Sequence, residues 1–158
     1  MSPLQDVFGW VLTLLVLSLP GLLAAVLWTP LLLSCRVRTL VVALPPRGSL
    51  LPTYVGIALT ASVPYVLGLA VIVTVLPSEG AAWSNAIFTL VLAVGVVYTL
   101  FVPTAAVVGL PRLDVAWDPS DSPVASWLLL AVGGFWYAFT FAVPLFALAV
   151  LFAWPGGY

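Results

Sequence analysis

The chain contains no histidine and no lysine, and each missing residue type removes a chemistry. Without histidine there is no histidine-ligated haem, no HExxH zinc site and no serine–histidine catalysis. Without lysine there is no Schiff base to retinal or pyridoxal phosphate. Cys35 is the single cysteine, so neither an internal disulfide nor a CxxC redox pair can form. Met1 is the single methionine, which leaves no thioether set for a metal. Charge is scarce as well. Four arginines, four aspartates and one glutamate are all the charges in 158 residues, 6% of the chain, where a soluble domain has about 25%.

What is present is apolar. Hydrophobic residues make up 64% of the chain and the mean hydropathy is +1.28. The length suits one ordinary domain, but a water-soluble domain with so little polar surface would precipitate. Lipid is therefore the expected solvent for most of the chain. That excludes a soluble enzyme, a nucleic-acid binder and a disordered tail.

The uncharged runs are Val7–Cys35, Gly48–Ser78, Gly80–Pro111 and Ser122–Tyr158, of 29, 31, 32 and 37 residues. A helix crosses a hydrocarbon core with about 20 apolar residues, so each run is long enough for one crossing and too short for two with a turn. Spans are expected near 7–29, 52–76, 83–109 and 126–153, in one transmembrane domain over 1–158. The loops 30–51 and 110–125 connect them on one side. Stretches such as Val11–Leu17 and Val143–Phe152 are apolar on every face, which disfavours the alternating strands of a barrel. The expected fold is an all-α integral membrane protein, a four-transmembrane-helix bundle with Pro-kinked helices.

Arg36, Arg38 and Arg47 fall between spans 1 and 2, and Arg112 falls between spans 3 and 4. The tails and the loop around Glu79 carry no basic residue. The positive-inside rule then puts both connecting loops in the cytoplasm and both termini outside, N-out/C-out, in a multi-pass cell-membrane protein. The four arginines set topology and face lipid headgroups. No basic stretch precedes span 1, so a cleaved signal peptide is not expected. Trp10, Trp28, Tyr54, Trp83, Trp127 and Trp154 lie near span ends, as interfacial aromatics do. Trp136 is mid-span and fits no belt.

The stretch Leu31–Leu44 is too apolar for a free loop. It either extends span 1 or lies along the inner membrane surface, with Arg36 and Arg38 reaching lipid phosphates. Those two arginines do not share a helix face, which speaks against an amphipathic surface helix. Each span contains a proline, Pro20, Pro64, Pro103 and Pro144. These mark kinks, in a mobile or cavity-forming bundle or as the ordinary enrichment of proline in membrane helices. The segments after Val63-Pro64 and Val143-Pro144 align with one gap, the trace of a two-plus-two repeat or of chance among apolar residues.

Small residues recur at four-residue spacing: Gly134, Ala138 and Ala142 on span 4, Gly21 and Ala25 on span 1, Ala105 and Gly109 on span 3. Such stripes let helix backbones approach closely. They are the candidate packing surfaces, within the chain or between chains. Ionisable residues inside a span would mark transport or a proton relay, and no span has one. The interior polar groups are neutral. Tyr98, Trp136, Tyr137 and Thr140 are the candidates for lining a pocket for a quinone, a lipid or another hydrophobic ligand; the alternative is that they simply pack. Asn85 serves an interhelical hydrogen bond or an interface. Asp114, Asp118 and Asp121 form either a solvated loop or a weak cation site without an EF-hand glycine. Ser122 and Pro123 have the residue types of an N-cap and first helical position.

These observations lead to a small polytopic protein that is not an enzyme and needs no cofactor or metal. The first expectation is a non-catalytic subunit or scaffold, in contact with membrane lipids and with another membrane protein or copies of itself. The alternative is a small transporter or pore for a neutral or hydrophobic solute, formed as an oligomer. The absence of lysine and the acidic loops give a halophile-like composition.

Overall fold

The computed structural model describes residue 9 and residues 19–45, 48–76, 80–113, 115, 117 and 122–154. The helices are α1 (Leu19–Leu33), α2 (Cys35–Ala43), α3 (Leu50–Val75), α4 (Gly80–Leu113) and α5 (Pro123–Ala153). The described residues form no strand. Three helices, α3, α4 and α5, are each long and apolar enough to cross a membrane, and α1 with α2 makes a fourth if the bent pair is one span. The first half of span 1, with Trp10, lies outside the described residues, as do Arg47, Glu79 and the three loop aspartates.

Within the segment 30–51 the described residues are helical over Thr29–Leu33 and Cys35–Ala43, so Leu31–Leu44 is not a free loop. The last turn of α1, Thr29–Leu33, tightens to a 3₁₀ helix behind Pro30, which has no N–H to give to the Val26 carbonyl. Thr29 Oγ1 donates to that carbonyl instead, at 2.5 Å. Ser34 is extended and both ends α1 and starts α2, and the chain bends by 117° there. The Arg38 guanidinium donates to the Leu32 carbonyl across the bend at 3.3 Å.

In α2, Val37, Leu40 and Val41 are buried while Cys35, Arg36, Arg38 and Thr39 are exposed. At about 100° per residue the buried stripe is narrow, and Arg36 and Arg38 sit on its two flanks. They do not share a face, and the helix is amphipathic all the same, because one arginine borders each side of the stripe. The turn into α3 is made by Gly48, whose φ of +88° favours glycine.

The prolines are accommodated in different ways. Pro64 and Pro144 lie inside continuous α-helix. Around Pro103 the helix widens to π registers, Val97–Phe101 before it and Ala105–Gly109 after it. Thr104 Oγ1 donates to the Leu100 carbonyl there, at 2.6 Å. Membrane helices tolerate proline when local π adjustments relax the backbone around it. At the start of α5, Pro123 takes the first turn as expected, but the Ser122 hydroxyl makes no capping bond.

The core is small and aromatic. Tyr54, Tyr65, Tyr137, Phe141 and Leu145 are buried, with Ala24, Ala25, Ala58 and Ala149 as the small residues between them. Most other large apolar side chains of α3, α4 and α5 face outward, as suits helices solvated by acyl chains.

Candidate functional site: an aromatic cleft beside the packed core

The core is held together by hydroxyl and indole donors that reach carbonyls of neighbouring helices. Trp28 Nε1 donates to the Gly133 carbonyl at 3.0 Å, and the Tyr54 hydroxyl donates to the Ala25 carbonyl. Tyr137 donates to the Ala58 carbonyl at 2.6 Å and Tyr98 to the Ala61 carbonyl. The last two acceptors lie on α3 in the turns before Pro64. Two tyrosines, from α4 and α5, therefore tie those helices to the same part of α3. The rings also touch one another. Tyr65 stacks on Phe141 at 4.5 Å, and Tyr98 meets Tyr137 edge-on at 5.8 Å. Trp28 stacks on Tyr54 at 5.8 Å.

Beside this core runs a cleft of about 640 Å³, bounded by α3 on one wall and by Trp28, Tyr98, Val102, Gly134 and Tyr137 on the other. Its α3 wall runs from Pro52 to Pro64, with Pro45 at the α2 end. Few polar groups face it. Thr53 gives its hydroxyl to the Ser49 carbonyl at 2.7 Å, and both tyrosine hydroxyls are engaged as described. A second, shallower groove of about 350 Å³ lies between α4 and α5. Gly95, Ala138 and Ala142 form its floor, and Leu92, Val96, Phe135 and Phe139 are among its walls.

The structure distributes the residues singled out in the sequence unevenly. Tyr98 and Tyr137 line the large cleft. Trp136 and Thr140 do not. Trp136 is 46% exposed on the outside of α5, parallel to Phe139. The Thr140 hydroxyl is returned to its own helix, at the Trp136 carbonyl, 3.0 Å away. Tyr137 points inward, so on a helix its neighbour Trp136 is turned about 100° away.

The small-residue stripes also divide. A Cβ on Gly134 would meet the backbone of α4 at the Tyr98 carbonyl, with the carbonyl carbon at 2.8 Å. On Gly21 it would lie 2.9 Å from Ser62 Cβ, and Ala25 is buried. Ala105 is exposed, and a Cβ on Gly109 would meet nothing within 4 Å. The third stripe therefore makes no close contact with the described residues. Arg36, Arg38 and Arg112 are exposed.

Sequence reasoning missed Trp28, Tyr54 and Tyr65 as core residues. Their positions near span ends point to the membrane interface, yet Trp28 and Tyr54 both use their polar atoms on the bundle. Tyr65, 1% exposed, is buried with its hydroxyl unpartnered among the described residues. The proline one residue before it was the available signal. Asn85 is exposed and makes no interhelical bond to the described residues. Among the described residues no three metal-ligating side chains come together.

Long apolar helices that bury a compact aromatic core and expose aliphatic surface define an all-α, multi-span membrane protein. The chain belongs to the family described as Domain of unknown function (DUF8162), whose model matches residues 8–156. No curated protein and no solved structure matches it.

Proposed function

We propose that this protein is a non-catalytic membrane subunit or scaffold that packs against the helices of a partner membrane protein or of further copies of itself. The observation that carries the reading is the groove between α4 and α5. Its floor of Gly95, Ala138 and Ala142 is small and its walls of Leu92, Val96, Phe135 and Phe139 are bulky. That is the relief into which a ridge of side chains on another helix fits, in a solvent where van der Waals packing drives association. A Cβ on Gly95 would meet nothing within 4 Å, so no described side chain fills the floor there. In this reading the arginine-bearing loops are cytoplasmic and both termini are extracytoplasmic, by the positive-inside rule.

The test is the size of the assembly in native membranes solubilised in mild detergent. The wild-type chain is expected in a complex larger than the monomer. Gly95→Leu with Ala142→Leu is expected to release it as a folded monomer. A wild-type chain that is already monomeric, or a variant that stays in the complex, overturns the reading.

The large cleft supports a second reading, a small transporter or pore for a neutral or hydrophobic solute. The cleft's α3 wall stops at Pro64, part-way along that helix, so a complete path would need an oligomer. Solute flux into vesicles reconstituted with the purified chain tests this reading.

A further inference from the structure

Trp136 carries a polar group at a depth where a lipid-facing tryptophan has nothing to bond. It is two residues from the midpoint of α5, about 3 Å along the helix axis. Its side chain is half-exposed on the outer face, and its Nε1 has no hydrogen-bond partner among the described residues. Interfacial tryptophans give that N–H to water or to headgroups. The polar region begins about 15 Å from the bilayer centre, and a bare N–H in the hydrocarbon is costly. The acceptor for Trp136 must therefore come from a molecule that itself reaches the bilayer centre.

An acceptor of that kind stands on the same face of the same helix. Thr140 lies one turn further on, about 40° around the axis from Trp136. Its hydroxyl donates to the Trp136 carbonyl at 3.0 Å, which uses its hydrogen and leaves oxygen lone pairs to accept. A donor that lacks an acceptor beside an acceptor that lacks a donor is a self-complementary pair, which is what a twofold interface requires. The surface around them has the matching form. Val132, Trp136, Phe139, Val143 and Phe146 are all exposed, and they succeed one another at steps of four, three, four and three residues. That alternation is the seam along which parallel helices pack knobs into holes. Identical chains insert the same way round, so in a pair of copies the two α5 helices run parallel, with equal residues at equal depth.

We propose that the outer face of α5 is the interface of a twofold homodimer, in which Trp136 of each copy donates its indole N–H to the Thr140 hydroxyl oxygen of the other. The proposal rests on the packing role given above and names the partner as a second copy of this chain. Phe139 belongs both to the seam and to the wall of the groove between α4 and α5, so the two surfaces are continuous.

Energy transfer between full chains labelled at Cys35, the sole and exposed cysteine, tests this in phosphatidylcholine vesicles diluted with further lipid. The wild type is expected to show transfer that falls on dilution. Trp136→Phe keeps an aromatic ring and removes only the donor, and it is expected to weaken the dimer about tenfold, because both symmetry-related bonds go together. Thr140→Val is expected to do the same. The double variant is expected to be no weaker than either single one, since both substitutions remove the same bonds. A Trp136→Phe chain that dimerises like the wild type overturns the proposal, and so do losses that add. The seam is located separately in native membranes with Cys35→Ser as background. There Val143→Cys is expected to form an oxidative cross-link between two copies, and Val71→Cys, exposed on α3, is not. A chain that migrates in a larger complex without the Val143→Cys cross-link overturns the homodimer and leaves the packing role standing. A chain that is monomeric in both membranes and vesicles overturns both.

Discussion

Two glycines, both inside membrane-spanning helices, are expected to respond to the same alanine substitution with opposite signs. In Gly134→Ala the added methyl points at the Tyr98 peptide of α4, with the carbonyl carbon 2.8 Å away and the carbonyl oxygen closer still. The obstacle is backbone, so no side chain can rotate aside, and α4 and α5 must separate by about 1 Å to restore an ordinary carbon–carbon contact. That separation pulls Tyr98 from the Ala61 carbonyl and loosens its edge-on contact with Tyr137. Overpacking of a well-packed core costs about 1–3 kcal/mol. Replacing a helical glycine by alanine returns about 0.5–1 kcal/mol. The net expectation is a loss of up to about 2.5 kcal/mol, or a drop in Tm of several degrees at about 2–4 °C per kcal/mol for a chain of this size. In Gly95→Ala the methyl enters open space, so only the gain remains and the variant is expected to be more stable than wild type. Thermal unfolding followed by circular dichroism in one detergent compares the three proteins. A Gly134→Ala protein as stable as Gly95→Ala would refute the close backbone contact, and with it the packing of α5 on α4.

Tyrosine hydroxyls separate in the same manner. Tyr137→Phe leaves the Ala58 carbonyl without its 2.6 Å donor and is expected to cost about 0.6–1.7 kcal/mol, the range for hydrogen bonds between membrane helices. Tyr65→Phe removes a buried hydroxyl that has no partner among the described residues and is expected to be neutral or stabilising; a larger loss in the same melt for Tyr65→Phe than for Tyr137→Phe would contradict this. Trp28→Phe breaks the bond to the Gly133 carbonyl while keeping a ring beside Tyr54, and limited proteolysis is expected to cut the segment joining α1 and α2 faster than in wild type. Cys35 is the sole cysteine and is exposed, so a membrane-impermeant maleimide reads the topology directly. Labelling is expected from the cytoplasmic side of sealed vesicles, and labelling from the opposite side would reverse the proposed orientation.

The ends of the long helices were legible in the sequence because they are set by solvent. Charges and turn-forming prolines bound the uncharged runs, and 52–76, 83–109 and 126–153 differ from α3, α4 and α5 by a few residues at either end. The residues of the cleft were only half legible. Tyr98 and Tyr137 stood out as polar-tipped aromatics in apolar spans, but nothing in the sequence separated them from Trp136 or Thr140. In water an amphipathic pattern says which face packs. Here the outward faces carry Leu67, Val71, Phe135 and Val143, as apolar as the core itself, so the pattern is silent. The same silence hid the difference between Gly134 and Gly109, two glycines at small-residue spacing of which one meets a backbone and the other meets nothing.

Composition by itself therefore decided the solvent, the helical class and the exclusion of chemistries that need histidine, lysine or paired cysteines, because transfer into lipid and covalent reactivity depend on which residues are present. Tertiary structure alone decided the bend at Ser34, the burial of α2 on one narrow stripe, the pairing of tyrosine hydroxyls with the carbonyls before Pro64 and the cleft that this pairing leaves open. Those features depend on which helix lies beside which, and in an acyl-chain solvent that choice rests on shape and on single hydrogen bonds between residues as much as 105 positions apart in the sequence.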